Sequence, residues 1–310
     1  MGKKAQTGEK RKKVFMLIKV LKKLKHAETS RKNLKVSLIP YYLKNAKILI
    51  TRVFFLKQQY HRLGFCSVAI ETYGFCNRKC EFCFNHDRFP KREQGIMKQQ
   101  TFEKVIDELS QLKYCGWITP VFYGEPLLDK RLPELIKYTK RKIPNCYIHI
   151  DTNGDFLDEE LFTRLIKKGA DRFFITNYDD EEKPRLTSLA KKYPLHIILR
   201  NYKDFKKLDR AGEIFKRNSI LNIPCLRPSA ELVINWKGDV LLCCQDFYAK
   251  YCMGSIHDNS LLNIWNNKKF TTYRNKLRLG QRSSIRICKH CDCQDGISWL
   301  SGFGFSFWTF

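Results

Sequence analysis

The chain has 310 residues, 43% of them apolar or aromatic, enough to bury one substantial core and a small accessory domain. Lys and Arg number 58 against 31 Asp and Glu, and residues 1–62 alone hold 18 basic and 2 acidic side chains; so concentrated a field favours anionic partners such as a phosphorylated substrate, nucleic acid or acidic lipid. Thirteen cysteines, an odd number in clustered spacings with no secretory signal pattern, speak against a disulfide scaffold and for iron–sulfur or zinc ligation in a reducing cytoplasm.

Residues 1–13 read as a disordered basic stretch. Two helices are expected next, completing a basic helical extension over residues 1–62. Phe15, Ile18, Leu21 and Leu24 form one apolar stripe, and Tyr42, Ala46, Leu49, Val53 and Leu56 form another within Ile39 to Leu63. Val14 to Leu21 is too short, and too closely flanked by lysines, to span a bilayer. These faces are expected to pack on the catalytic domain. The alternative is peripheral contact at the inner face of a membrane.

From about residue 63 short apolar runs alternate with helical periodicity. The pattern predicts strand Cys66–Glu71, helix Thr101–Lys113 with Thr101 as its cap, strand Trp117–Tyr123, helix Leu132–Lys140 and strand Tyr147–Thr152. Helix Asp158–Lys168, strands Arg172–Thr176 and Leu195–Arg200, and helix Phe205–Arg217 follow. This is a parallel α/β architecture, an open sheet or a barrel, whose ligands collect at the carboxyl ends of the strands. A second region, residues 221–310, opens with a hairpin of Glu231–Asn235 and Asp239–Cys243 turning at Trp236 to Asp239. A helix over Ser260–Lys276 and an aromatic tail, Trp299 to Phe310, complete it. The tail is expected to pack under this region or against the N-terminal helices; the sharper alternative is a lipid or dimer contact.

Cys76, Cys80 and Cys83 place three thiolates within eight residues, just after a strand. One short loop of this kind can hold three irons of a cluster and leave the fourth open; zinc with a fourth ligand such as His86 is the alternative. The three-then-two spacing, with aromatic Phe82 before the last Cys, resembles the signature of the radical S-adenosylmethionine (AdoMet) superfamily. That resemblance implies a partial (β/α)6 TIM-like barrel, here residues 63–220. It also implies a [4Fe–4S] cluster whose open iron binds the amino and carboxylate groups of AdoMet, and whose electron releases a 5′-deoxyadenosyl radical. Tyr123, Gly124, Glu125 and Pro126 resemble the Gly-Gly-Glu-Pro motif that contacts the AdoMet amino group, with Tyr in place of the first Gly. Asp151 to Gly154 resemble the Thr-Asn-Gly at the end of the third strand. Asp151, Asn153, Asn177 and Arg200 become candidate cofactor-binding residues on the same ground, although Asp151 and Asn177 serve equally well as turn formers.

Cys225, Gly238 and Cys243 are followed by Cys288 and Cys291. Gly238 permits the hairpin that draws the first two thiolates together, and the distal pair can close a four-thiolate site; zinc would accept the same ligands. The spacing resembles the C-terminal SPASM auxiliary-cluster domain in its shorter twitch form, and is closest to twitch-type aminocyclitol alcohol dehydrogenases. That likeness implies a second [4Fe–4S] cluster, with Cys244, Cys252 and Cys293 left over. Four protein thiolates leave no open position, so such a cluster suits electron transfer. Loss of a proton and an electron from a hydroxyl-bearing carbon radical would give a carbonyl.

The expected function is therefore a radical AdoMet enzyme that takes hydrogen from a polar or phosphorylated substrate. It would oxidise or epimerise a carbon of a sugar, cyclitol or lipid- or phosphate-linked sugar. A flavodoxin or ferredoxin is expected as electron donor. An epimerase would need a hydrogen donor, for which Cys115, Cys146, Cys244 and Cys252 are the spare thiols. A peptide- or protein-modifying maturase is the first alternative. An iron–sulfur protein that binds nucleic acid or a membrane surface is the second, and the lack of an aromatic-interleaved basic motif disfavours nucleic acid.

Overall fold

Short β-branched and aromatic runs, each followed by an amphipathic segment, fold as parallel strands backed by helices. The computed structural model describes residues 59–291 apart from 61, 205–209 and 215–220. The expectations for residues 1–58 and for the aromatic tail lie outside the described residues. Strands β1 (Ser67–Ile70), β2 (Trp117–Thr119), β3 (Tyr147–Thr152), β4 (Arg172–Asn177) and β5 (Ile197–Asn201) are all parallel. β6 (Glu231–Ile234) also runs parallel to β1, on the side away from β2. β7 (Asp239–Leu241) and β8 (Cys252–Ser255) continue antiparallel, giving one eight-stranded sheet in the order β5-β4-β3-β2-β1-β6-β7-β8. The architecture is a parallel α/β sheet of the partial-barrel kind, and the expected hairpin extends it.

Strand alternation sorts the side chains between two faces. Val68 and Ile70 of β1, Leu232 and Ile234 of β6 and Val240 of β7 enter the large core beneath the helices. Ala69, Val233 and Leu241 pack on the opposite, concave face. The helices are α1 (Gln99–Gln111), α2 (Leu132–Lys142), α3 (Glu159–Lys168), α4 (Lys183–Lys192), α5 (Leu261–Asn266), α6 (Lys268–Arg278) and α7 (Arg286–Lys289). The ring of Phe65, just before β1, meets Trp265 of α5 edge-on at 5.0 Å, which ties the start of the sheet to the C-terminal helices.

Several boundaries differ from expectation for identifiable reasons. Thr101 is no cap: it lies buried inside α1, because Gln99 and Gln100 carry the helix further upstream and Lys98 precedes it without a side-chain cap. β2 stops at Thr119 because Pro120 has no N–H to give the ladder. α4 was not foreseen; only Leu186 and Leu189 of its ten residues are buried, too few for a clear periodic signal. Of the helix expected over Phe205–Arg217, residues 210–214 form a turn instead, with Arg210 and Ala211 at positive φ of 48° and 61°, while 205–209 and 215–217 lie outside the described residues. The single helix expected over Ser260–Lys276 is two, because the extended backbone of Asn267 ends α5 while its side chain caps α6 at Phe270. Among the described residues no helix is long and apolar enough to cross a membrane.

Candidate active site

The loop after β1 carries Cys76, Cys80 and Cys83 to the concave side of the sheet, where all three line an open cavity of about 430 Å³. Its other walls come from the carboxyl ends of successive strands: Thr119 to Glu125 after β2, Asp151 to Asn153 of β3, Thr176 and Tyr178 of β4, and Arg200 of β5. A salt-bridged brace fixes the loop. Arg78 donates to both oxygens of Asp155, at 2.6 and 2.5 Å, and to Asp179 at 2.7 Å. Asn77 donates to Asp155 and accepts from the Asn153 side chain at 2.8 Å. The thiol loop is thereby tied to the ends of β3 and β4.

Gly124 meets a steric requirement: a Cβ there would stand 1.8 Å from the Tyr73 carbonyl oxygen. That close approach lets the Glu125 N–H donate to the Phe75 carbonyl at 2.8 Å, which holds the turn against the thiol loop. Pro126 opens a short 3₁₀ turn that Glu125 caps. The Glu125 carboxyl is buried and accepts from Thr152 Oγ1 at 2.7 Å, the Asn153 N–H at 2.9 Å and the Leu127 N–H at 3.0 Å. Burial nonetheless pushes its pKa up to about 7, a carboxylate that lacks a cation. Across the cavity Phe82 stacks with Tyr178 and Tyr202, centroids 5.9 and 6.4 Å away, a flat aromatic wall beside the thiols.

Burial pushes the Cys76 thiol up to about 12, with Glu125, Cys83 and Cys80 adding repulsion, and Cys80 up to about 11. Crowded, desolvated sulfurs of this kind ionise only beside added positive charge. A polynuclear iron core supplies it and is ligated by thiolate in preference to other donors. Among the described residues no group of three or more His, Cys, Asp or Glu is arranged to hold a single metal ion, so the donor chemistry carries the fit.

The second set, Cys225, Cys243, Cys288 and Cys291, lines one small pocket with Pro228, Leu277 and Ile287. Burial raises Cys243 well above the ordinary thiol range, with Cys244, Cys288 and Cys291 contributing, and raises Cys288 to about 12, with Cys225 contributing. Gly238, at φ +94°, makes the β6–β7 turn. Arg282, almost fully buried, donates to the carbonyls of Ile223 at 2.8 Å and of Pro224 and Cys291 at 3.3 Å, clasping both ends of the thiol set.

Of the residues singled out from sequence, Cys76, Cys80, Phe82, Cys83, Gly124, Glu125, Asp151, Asn153 and Arg200 line the one cavity. Arg200 Nη1 stands 3.9 Å from Asp151. Asn177 is not brought there: alternation along β4 places Thr176 and Tyr178 on the cavity and buries Asn177 between them. Pro126 likewise shapes the turn without lining the cavity. Sequence reasoning missed Arg78, Thr119, Tyr178, Arg210 and the Arg227–Glu231 pair, whose Nη1 to Oε2 separation is 3.3 Å. Basic and hydroxyl residues are common in this chain, and nothing in their spacing marked these.

A partial-barrel sheet with a three-thiol loop after its first strand, joined to a closed four-thiol site, defines a radical AdoMet enzyme with an auxiliary cluster. The Radical SAM superfamily model matches residues 70–223, and the SPASM iron-sulfur cluster-binding domain model matches residues 225–292. The chain belongs to the radical SAM superfamily and uses AdoMet and iron–sulfur clusters. It is 32% identical over 233 residues to the S-adenosyl-L-methionine-dependent 2-deoxy-scyllo-inosamine dehydrogenase of Niallia circulans, covering 74% of this chain and 93% of that one. The crystal structure of BtrN in complex with AdoMet and 2-DOIA is similar at a TM-score of 0.69 and 32% identity, covering 74% of this chain and 94% of that one. A cysteine-type anaerobic sulfatase-maturating enzyme of Clostridium perfringens is 29% identical over 167 residues, 49% of this chain and 41% of that one. The chain is a radical SAM enzyme of oxidoreductase type, acting on a small polar substrate with an external reductant.

Proposed function

We propose that the enzyme removes hydrogen from a hydroxyl-bearing ring carbon of an aminocyclitol or related sugar and oxidises that carbon to a carbonyl. Cys76, Cys80 and Cys83 would hold the AdoMet-binding cluster, and Cys225, Cys243, Cys288 and Cys291 the second. When bound, AdoMet and the two clusters supply hydrogen-atom abstraction and an electron acceptor. Residues 63–220 form the catalytic region in this proposal and residues 221–310 the auxiliary one.

The observation that carries it is an adjacency. Cys243 lines the four-thiol pocket, while Cys244, the next residue, lines the cavity of the three-thiol loop. One wall of the substrate cavity is thus the outer wall of the electron-accepting site. Glu125, Asn153 and the Phe82–Tyr178–Tyr202 stack would orient AdoMet, with Glu125 as partner for its ammonium group. Arg200, Arg210 and Arg227 would hold the substrate's polar groups, and the Asp151 and Glu231 carboxylates stand ready to take the hydroxyl proton. A donor of the flavodoxin or ferredoxin class and a cytoplasmic setting belong with this chemistry. Similarity to a dehydrogenase of 2-deoxy-scyllo-inosamine favours this substrate class over a peptide.

The test uses ring-deuterated 2-deoxy-scyllo-inosamine with the anaerobically reconstituted protein, AdoMet and dithionite. Deuterium in 5′-deoxyadenosine together with a carbonyl product is expected. 5′-Deoxyadenosine free of deuterium at full cluster loading would rule this substrate class out.

A further inference from the structure

An electron taken up by a closed four-thiol site must also leave it, and the surface around that site has a composition of its own. Between Asp258 and Asp292 the chain carries eight Lys and Arg and no Asp or Glu. Elsewhere many cations meet carboxylates: Lys140 meets Asp171, Lys142 meets Asp107, Lys168 meets Glu134 and Lys192 meets Glu159. Arg286 and Lys289 of α7 stand on either side of Cys288 in the chain. Both are exposed, and among the described residues neither is in an ion pair.

Two exposed apolar side chains accompany them. Leu279, at the end of α6, is 73% exposed, and Ile223 is 37% exposed. The turn after α6 lies directly on the segment before Cys225: Gly280 has φ +75°, and a Cβ there would stand 2.9 Å from the Asn222 carbonyl oxygen. The Cys225 N–H donates to the Leu277 carbonyl at 2.8 Å. Ile223 and Leu279 are therefore each two residues from a wall of the thiol pocket, Ile223 from Cys225 and Leu279 from Leu277. None of Ile223, Leu279, Arg286 and Lys289 lines the substrate cavity. Apolar residues with cations around them suit a protein partner of opposite charge, and redox encounters use small interfaces of this charge-steered kind.

We propose that the surface of Ile223, Leu279, Arg286 and Lys289 docks the oxidised form of an acidic one-electron carrier protein, of the flavodoxin or ferredoxin class, which takes the electron from the second cluster. This rests on the second cluster and its role as electron acceptor stated under Proposed function. The substrate radical loses a proton to solvent and an electron to the cluster as the carbonyl forms. The flavin or iron of the carrier is then reduced by that electron, and the cluster returns to its oxidised state. Splitting AdoMet consumes one electron and carbonyl formation releases one, so the reaction draws no net reductant once the carrier takes the second.

The experiment uses the Cys76/Cys80/Cys83→Ala protein, in which only the second cluster is loaded, reduced with dithionite that is then removed by gel filtration. It is mixed in stopped flow with oxidised flavodoxin, and separately with oxidised plant-type [2Fe–2S] ferredoxin, and reduction of the carrier is followed by absorbance. Transfer to at least one carrier is expected, slowing as salt is raised. In the same background Arg286→Glu/Lys289→Glu is expected to slow the second-order rate by about 10–100-fold at low salt, and Arg164→Glu/Lys167→Glu on α3, with the same change of charge, by less than about twofold. Leu279→Ser, which keeps the charge, is expected to slow transfer by a smaller factor than the Arg286/Lys289 pair. Iron and sulfide contents are matched across the variants. Equal slowing by the two charge reversals would indicate an overall field without a docking face and overturn the proposal. A reduced second cluster that gives its electron to neither carrier would also overturn it, leaving the cluster assignment standing. Four thiols that hold no reducible cluster would overturn the assignment itself.

A readout without electron transfer is carbodiimide cross-linking of oxidised flavodoxin to the fully loaded wild type, without AdoMet or reductant. Peptide mass is expected to show Lys289 joined to a flavodoxin carboxylate. Cross-links confined to lysines elsewhere would overturn the proposal.

Discussion

The two thiol sites differ in number of ligands, in walls and in openness. The three-cysteine loop stands on an open cavity lined by Arg78, Asp151, Arg200 and other polar side chains, with its cysteines partly accessible. The four-cysteine site is closed by Leu277, Ile287 and Pro228, with Cys243 and Cys288 buried and the Arg282 guanidinium clasped over it. With a cluster bound, one missing thiolate and an open polar wall would let a small molecule reach the metal. A fourth thiolate and an apolar wall would admit only an electron. Sequence spacing distinguishes the sites by ligand count; the walls that give the difference its meaning come from residues far apart in the chain.

The comparison breaks most completely if the thiols are exchanged for Ala. Replacing Cys76, Cys80 and Cys83 together is expected to lower iron from about eight to about four per chain and to abolish AdoMet binding, checked by iron analysis and by equilibrium dialysis. Cys288→Ala is expected to lose the same amount of iron but to keep AdoMet binding, with loss of oxidised product. Equal loss of AdoMet binding in both would mean that the sites are not separate in function.

Arg282→Met sharpens the contrast from the closed side. It removes the buried guanidinium that donates to the carbonyls of Ile223, Pro224 and Cys291. A loss of about 1–2 kcal/mol in folding stability is expected, seen in denaturant unfolding, with the second cluster released before the first.

On the open side, Glu125→Gln is expected to weaken AdoMet by about 10–100-fold, the worth of a charge-assisted hydrogen bond. The Glu125 pKa is raised to about 7 in the AdoMet-free protein, so wild-type affinity is expected to fall as pH drops below about 7 and the carboxyl is held neutral. The unfolded chain gives up this proton near 4.5, before the folded one does. The free protein therefore loses stability from this group as pH rises from about 4.5 to about 7. Calorimetric titration of AdoMet across pH 5.5–8 checks the first claim, and the Gln variant should flatten that dependence. The smallest effect is expected from Asp179→Asn, which removes one partner of Arg78 but leaves the bidentate contact to Asp155. Its cost should be about 0.5–1 kcal/mol in stability, since Asp179 is substantially exposed.

Much of the site was legible because its chemistry is local. Cys76 to Cys83, Gly124 with Glu125, and the Gly238 turn are short-range patterns in which each residue type answers a steric or ligand need. The strands were legible for the same reason, from Tyr147–Thr152 in full to β2 only up to Pro120. What escaped was long-range. Pairing of β6 with β1 follows from tertiary packing, since Glu231–Ile234 carries the same pattern it would have in an isolated hairpin. The Arg78 brace joins positions 77 and 101 residues apart. The position of Cys244 on the cavity, beside a cysteine of the other site, depends on the register of β7. The basic, weakly periodic helix α4 and the positive φ at Arg210 and Ala211 gave no local signal.

The most direct test of the central claim is formation of 5′-deoxyadenosine by the anaerobically reconstituted protein with AdoMet and dithionite. It compares wild type, the Cys76/Cys80/Cys83→Ala triple variant and Cys288→Ala. The structure predicts 5′-deoxyadenosine from wild type and from Cys288→Ala, and none from the triple variant. Formation by the triple variant, or none by fully loaded wild type, would contradict the assignment of radical initiation to the three-cysteine loop.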